Sequence, residues 1–114
     1  MLDREWALYC QFVDNTAKVE VEKLPYLATM GLAGETGEVV ELMKKHLLHG
    51  KDLDEAKLID EMGDVLWYFT LLMNTYNIKL HEIIYLNQLK LEKRHSQTPD
   101  HYGSAKILRS EIEK

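Results

Sequence analysis

Cysteine is almost absent from this chain. Cys10 is the single one in 114 residues, so no intrachain disulfide forms and a cysteine-based zinc site is excluded. No nucleophile signature surrounds it, and it reads as a small buried or half-buried apolar residue. Proline is nearly as scarce. Pro25 and Pro99 are the only two, and they bracket a long stretch of helical periodicity. No sustained alternation of Val, Ile and Thr marks a strand. No apolar run approaches the roughly 20 residues of a membrane span. Residues 1–9 mix Asp3, Arg4 and Glu5 with apolar side chains, without signal-peptide order. The expected location is the cytoplasm, with no membrane partner. Positive charge is also short: 14 Lys plus Arg face 19 Asp plus Glu, for a net charge of -5. A broad basic face for nucleic acid is thereby excluded. A polyphosphate ligand would need a cation to offset its charge, and a divalent ion is the obvious source.

What is present is a one-domain quantity of helix. The length and the 46% hydrophobic and 29% charged content fit an ordinary globular domain. A helical chain this short often completes its core by pairing with a second copy. The periodicity predicts an all-α, four-helix bundle over residues 1–95, followed by a loop and a short helix or tail over residues 96–114. The first helix is expected over about residues 3–21, with Trp6, Tyr9, Phe12, Val13 and Ala17 at three- and four-residue steps. Pro25 suits the first turn of a second helix that Gly50 terminates near Leu48. Gly31, Gly34 and Gly37 lie inside this helix, where each costs about 1 kcal/mol relative to Ala. Either a close helix contact or room for a ligand would explain them. A third helix is expected from Asp52 or Asp54 to Tyr76, with Asp52 and Glu55 resembling a capping box and Asn77 as the stop. A fourth is expected over residues 80–94, with Ile83, Ile84, Leu86, Leu89 and Leu91 on or near its buried side.

Two acid pairs stand out. Glu35 and Glu38 are three apart, as are Glu61 and Asp64, so each pair projects from one helix face. That face is the inward one. The third-helix ladder reads Leu58, Glu61, Asp64 or Val65, Tyr68, Leu72; the second reads Leu27, Gly31, Glu35, Glu38, Leu42. Carboxylates take places where apolar side chains belong, and partly buried like charges cost several kcal/mol per ion unless they share a cation. Four carboxylates on two facing helices form a hard oxygen cage suited to Mg²⁺, with Mn²⁺ as a substitute. A di-iron bundle would require Glu-x-x-His pairs on two helices. Asp64 is followed at that spacing by Trp67, and Glu38 by Glu41. Glu92 and His95 are the one such pair, at the end of the fourth helix.

Glu35-Thr-Gly-Glu38 and Glu61-Met-Gly-Asp64 together resemble the Glu-x-x-Glu … Glu-x-x-Asp signature of the MazG-like all-α nucleoside triphosphate pyrophosphohydrolases. The flanks Gly31-Leu-Ala-Gly-Glu-Thr-Gly-Glu-Val39 and Asp60-Glu-Met-Gly-Asp-Val-Leu-Trp-Tyr68 are similar to that family, as is Asn87-Gln-Leu-Lys90-Leu-Glu-Lys-Arg94. The resemblance covers roughly residues 2–95. One departure is visible: many members carry two adjacent acids at the start of the first pair, and here Gly34 takes the earlier place.

The resemblance implies cleavage of a nucleoside triphosphate between its α- and β-phosphates. Glu35, Glu38, Glu61 and Asp64 would hold Mg²⁺, and Glu35 or Glu38 would accept the water's proton. It further implies a dimer or tetramer, and a role in sanitising or regulating a nucleotide pool. Lys90 and Arg94, four apart on the fourth helix, are candidates for the outer phosphates. Lys44 and Lys45 are further candidates, though Lys is favoured at a helix C-terminus in any case. Asn87 shares a face with Lys90 and offers an amide to a sugar or base edge. Tyr68, and after it Trp67 and Trp6, are candidates to stack on the base. Two other readings remain open on sequence: a non-catalytic helical interaction module, and a relative acting on phosphoribosyl-ATP.

Overall fold

The computed structural model describes residues 2–97. Among them the fold is four α-helices and no strand: α1 at Leu2–Thr16, α2 at Leu24–Leu48, α3 at Glu55–Thr75 and α4 at Leu80–Gln97, with one 3₁₀ turn at Val21–Lys23 before α2. The chain divides after Ile78 into two compact units, α1 to α3 in the first and α4 in the second. The all-α expectation holds. The short helix or tail expected over residues 104–114, and most of the preceding loop, lie outside the described residues.

Three helix limits differ from expectation, each for a local reason. α1 ends at Thr16 rather than near Val21. Lys18, Val19 and Glu20 are all exposed, so continuing the helix would bury nothing, and most helix stability comes from such burial. The Thr16 hydroxyl meanwhile donates back to the carbonyls of Phe12 (2.8 Å) and Val13 (3.2 Å). α3 is capped by Asp54, whose carboxylate accepts the Lys57 amide at 3.1 Å; the Asp52–Glu55 box does not form the cap. α4 runs three residues past Arg94, since His95, Ser96 and Gln97 contain no helix breaker. The end of α2 is as expected. Gly50 takes φ +67°, a left-handed conformation that glycine adopts without penalty. The Lys51 carbonyl accepts from Nδ1 of His46 at 2.7 Å, closing the turn.

The core of the first unit draws one fully buried residue from each helix: Val13, Ala28 and Leu71. Tyr9, Ala17, Leu24, Leu27, Trp67 and Leu72 pack around them. Two polar ties fix α1 on α3. The Trp67 indole N–H donates to Thr16 Oγ1 at 3.1 Å. The Asn74 amide donates to the Cys10 carbonyl at 2.9 Å and to Asp14 at 3.0 Å. Cys10 itself is half-buried. α2 meets α3 most closely at Gly31, where an added Cβ would overlap the ring of Tyr68. Gly34 and Gly37 face open space. The close-contact reading of the glycine run therefore applies at Gly31 alone.

The apolar residues of α4 are placed differently from expectation. Ile83 is half-buried, but Ile84, Leu86, Leu89 and Leu91 are exposed. Periodicity marks a face as apolar without saying what covers it.

Candidate metal centre

The contact at Gly31 and Tyr68 sets the register of the two long helices. One turn further along α2 comes Glu35, and one turn back along α3 come Asp64 and Glu61. The helices run antiparallel here, so these acids arrive at the same level. Glu35, Glu61 and Asp64 each offer a carboxylate oxygen, and the three oxygens lie within 4.8 Å of one another. Glu35 and Glu61 are half-buried and Asp64 is exposed.

The electrostatics follow from that crowding. The Glu35 carboxyl is pushed above the ordinary carboxylate range, first by loss of hydration, then by the negative charges of Asp64 and Glu61. A hydrogen bond with Glu61 and the charge of Glu38 raise it further. A carboxyl–carboxylate hydrogen bond needs a proton on one partner, so without a cation the cluster holds a proton to limit its own repulsion. A divalent cation would do the same work better. Three anionic oxygen donors with no nitrogen or sulfur among them fit a hard ion.

α1 also reaches the cluster, which the acid spacing gave no means of seeing. Burial raises the Tyr9 hydroxyl, and the charge of Asp64, then Cys10, adds to the shift. Tyr9 stands between Trp6 (ring centroids 5.8 Å) and Phe12 (6.2 Å). No local motif announces such a contact, because it depends on how α1 lies across α3.

The other sequence-derived candidates are placed as follows. Glu38 is exposed on α2 and stands outside the trio. Tyr68 is half-buried against Gly31 and meets Trp67 edge-on, with centroids 5.0 Å apart and planes at 83°. Trp67 belongs to the core packing and is tied to Thr16. Trp6 is half-buried beside Tyr9. Lys45 is exposed in the last turn of α2, and Lys44 pairs with Glu41 at 3.5 Å on the surface. Asn87, Lys90 and Arg94 lie on α4, in the second unit.

Residues 25–98 match the family described as the MazG nucleotide pyrophosphohydrolase domain. The chain belongs to that family. The MazG match takes in α2, α3 and α4, and with them every acid of the cluster and Asn87, Lys90 and Arg94. α1, and Tyr9 with it, precedes the matched segment. Over 79 residues the chain is 38% identical to "Gene 37 protein" of Mycobacterium phage L5, the alignment covering 65% of this chain and 68% of that protein. No solved structure matches the chain. The MazG family generally uses divalent metal ions, in keeping with the all-oxygen donor set built here by Glu35, Glu61 and Asp64.

Proposed function

We propose that this protein is a Mg²⁺-dependent nucleoside triphosphate pyrophosphohydrolase, with Mn²⁺ as a substitute, releasing a nucleoside monophosphate and pyrophosphate. The observation that carries this reading is the convergence of Glu35, Glu61 and Asp64 within a segment matched to the MazG domain. These residues would hold the ion. When bound, a divalent cation supplies charge neutralisation and Lewis acidity at the phosphate chain.

The chain's own groups supply the rest. The rigid α2–α3 pair holds the carboxylates in place before substrate arrives, so that little reorganisation is needed during reaction. Lys90 and Arg94 provide cationic donors for the outer phosphates, with Lys45 as a further candidate. Tyr68, Asn87 and Trp67 are the candidates for contact with base and sugar. The likely-sized ligand class for such a site is a single nucleotide, and the cellular role that follows is control of a nucleotide pool.

Self-association as a homodimer or homotetramer is part of the same proposal. It is supported by large apolar side chains left in water on the helices that build the site. On α3, Ile59 is 63% and Met62 55% exposed; on α2, Val40 is 60% exposed. A cleft of about 510 Å³ between the two helices is lined by Val39, Met62, Val65, Leu66 and Phe69 together with Thr36 and Gly63. Exposed patches of this kind mark contact surfaces, and a second copy is the partner that closed symmetry provides.

The deciding experiment incubates the purified protein with the common NTPs and dNTPs, and with phosphoribosyl-ATP, in the presence of Mg²⁺. Pyrophosphate release that chelation abolishes and that Asp64→Asn lacks supports the enzyme. Failure to release pyrophosphate from every compound, with intact folding, refutes it.

A further inference from the structure

Glu38 is the acid that the sequence pattern includes and the geometry leaves apart. The half-buried positions of α2 run Leu27, Gly31, Glu35, Val39 and Leu42. Val39 therefore carries the inward row past Glu35, and Glu38 falls beside it, exposed. Glu35, Glu61 and Asp64 bring their oxygens together without it. Its charge is also the last in order of those acting on Glu35, after Asp64 and Glu61. Glu38 is thus close enough to influence the cluster and not placed to be a member of it.

That position suits a different task. A carboxylate bound to a cation gives up basicity to it, whereas a neighbouring carboxylate outside the ligand set keeps its full capacity to accept a proton. Water that attacks a phosphorus atom must lose one. We propose that Glu35, Glu61 and Asp64 bind the divalent cation without Glu38, and that Glu38 is a catalytic residue which orients the attacking water and takes its proton. This assignment rests on the pyrophosphohydrolase reading above. In the step itself, the water oxygen forms a bond to the α-phosphorus. The bond from that phosphorus to the oxygen bridging to the β-phosphate breaks, and pyrophosphate departs with the electron pair. The water's proton passes to the Glu38 carboxylate.

The test separates cation binding from turnover. Mn²⁺ alone is titrated calorimetrically into the wild type and into Glu38→Gln, Glu61→Gln and Asp64→Asn. A unit charge outside the ligand set changes a divalent ion's affinity by about fivefold at most in screened water. Glu38→Gln is therefore expected within that range of the wild type, while the other two lose about 30-fold or more, as befits direct ligands. With triphosphate, Glu38→Gln is expected to lower kcat by about 100-fold or more, with KM within about threefold. Glu38→Asp, which keeps the carboxylate but shortens it, recovers part of kcat without altering cation affinity. Loss of Mn²⁺ binding in Glu38→Gln equal to that in Glu61→Gln overturns the assignment, as does an unchanged kcat. If the wild type binds Mn²⁺ but hydrolyses no triphosphate, the pyrophosphohydrolase reading fails, and the catalytic role of Glu38 falls with it. The binding comparison still decides the ligand set in that case.

Discussion

Glu35 is the residue on which the site's electrostatics turn. Its carboxyl is raised by partial burial and by Asp64 and Glu61, so the fold disfavours its ionised form. The stability consequence has a definite sign. Below the ordinary carboxylate range the group is protonated whether folded or unfolded, and the penalty is absent. As pH rises, the unfolded chain ionises first, and the penalty grows until it is complete above the raised value. This group therefore makes the metal-free protein less stable as pH rises through that window. Urea melts in chelator across the acidic range check it: Glu35→Gln is expected to flatten the contribution. In the presence of Mn²⁺ the proton competes with the cation. Affinity should begin to fall, on acidification, at a pH above the ordinary carboxylate range, and calorimetry at stepped pH reads the onset.

The same crowding predicts opposite effects of one substitution in two conditions. Glu61→Gln removes a negative charge from beside Glu35 and Asp64. In chelator the variant should melt at or above the wild-type temperature, because like-charge repulsion is relieved. With saturating Mn²⁺ the order should reverse, since only the wild type gains the linkage stabilisation of a bound ion. A variant less stable than wild type under both conditions would show that Glu61 is held by packing alone.

Among the elements, α2 and α3 carry the site, and their glycines separate two kinds of helical glycine. At Gly31 a methyl would enter the Tyr68 ring. Gly31→Ala gains about 1 kcal/mol of helix propensity but incurs an overpacking cost of about 1–3 kcal/mol, so net destabilisation is expected. Gly34→Ala and Gly37→Ala meet nothing within 4 Å and should each stabilise by about 0.5–1 kcal/mol. Urea midpoints on the three variants test the contrast. Asp54→Ala should cost about 1 kcal/mol, by removing the acceptor that satisfies the Lys57 amide at the start of α3.

At the scale of the whole molecule, buried side chains are few and exposed apolar ones many. Leu66, 42% exposed, and Met62, 55% exposed, sit on one stretch of α3 and line the cleft against α2. A dimer or tetramer that covers this stretch should be broken by Met62→Glu or Leu66→Glu, read as a fall in mass by light scattering. A wild type that elutes as a monomer at high concentration would remove self-association from the proposal.

The all-α class and the two acid pairs were legible from the sequence because they depend on short-range spacing. Helical period alone puts Glu35 on an inward face, and the same ladder placed Glu61 there. Both are half-buried. What that period did not determine was membership of the cluster. Glu35 and Glu38 share a helix side by spacing, yet only Glu35 meets Glu61 and Asp64, because the level at which α2 crosses α3 is set by the Gly31–Tyr68 contact. The end of α1 was misjudged because nothing in Lys18, Val19 and Glu20 forbids a helix; their exposure decided it. The approach of Tyr9 to Asp64 links residues 55 apart in the chain, and no periodicity encodes that. Spacing along one helix is a local property, fixed by the 3.6-residue turn. Convergence between helices depends on packing at a distance, and only the tertiary structure supplied it.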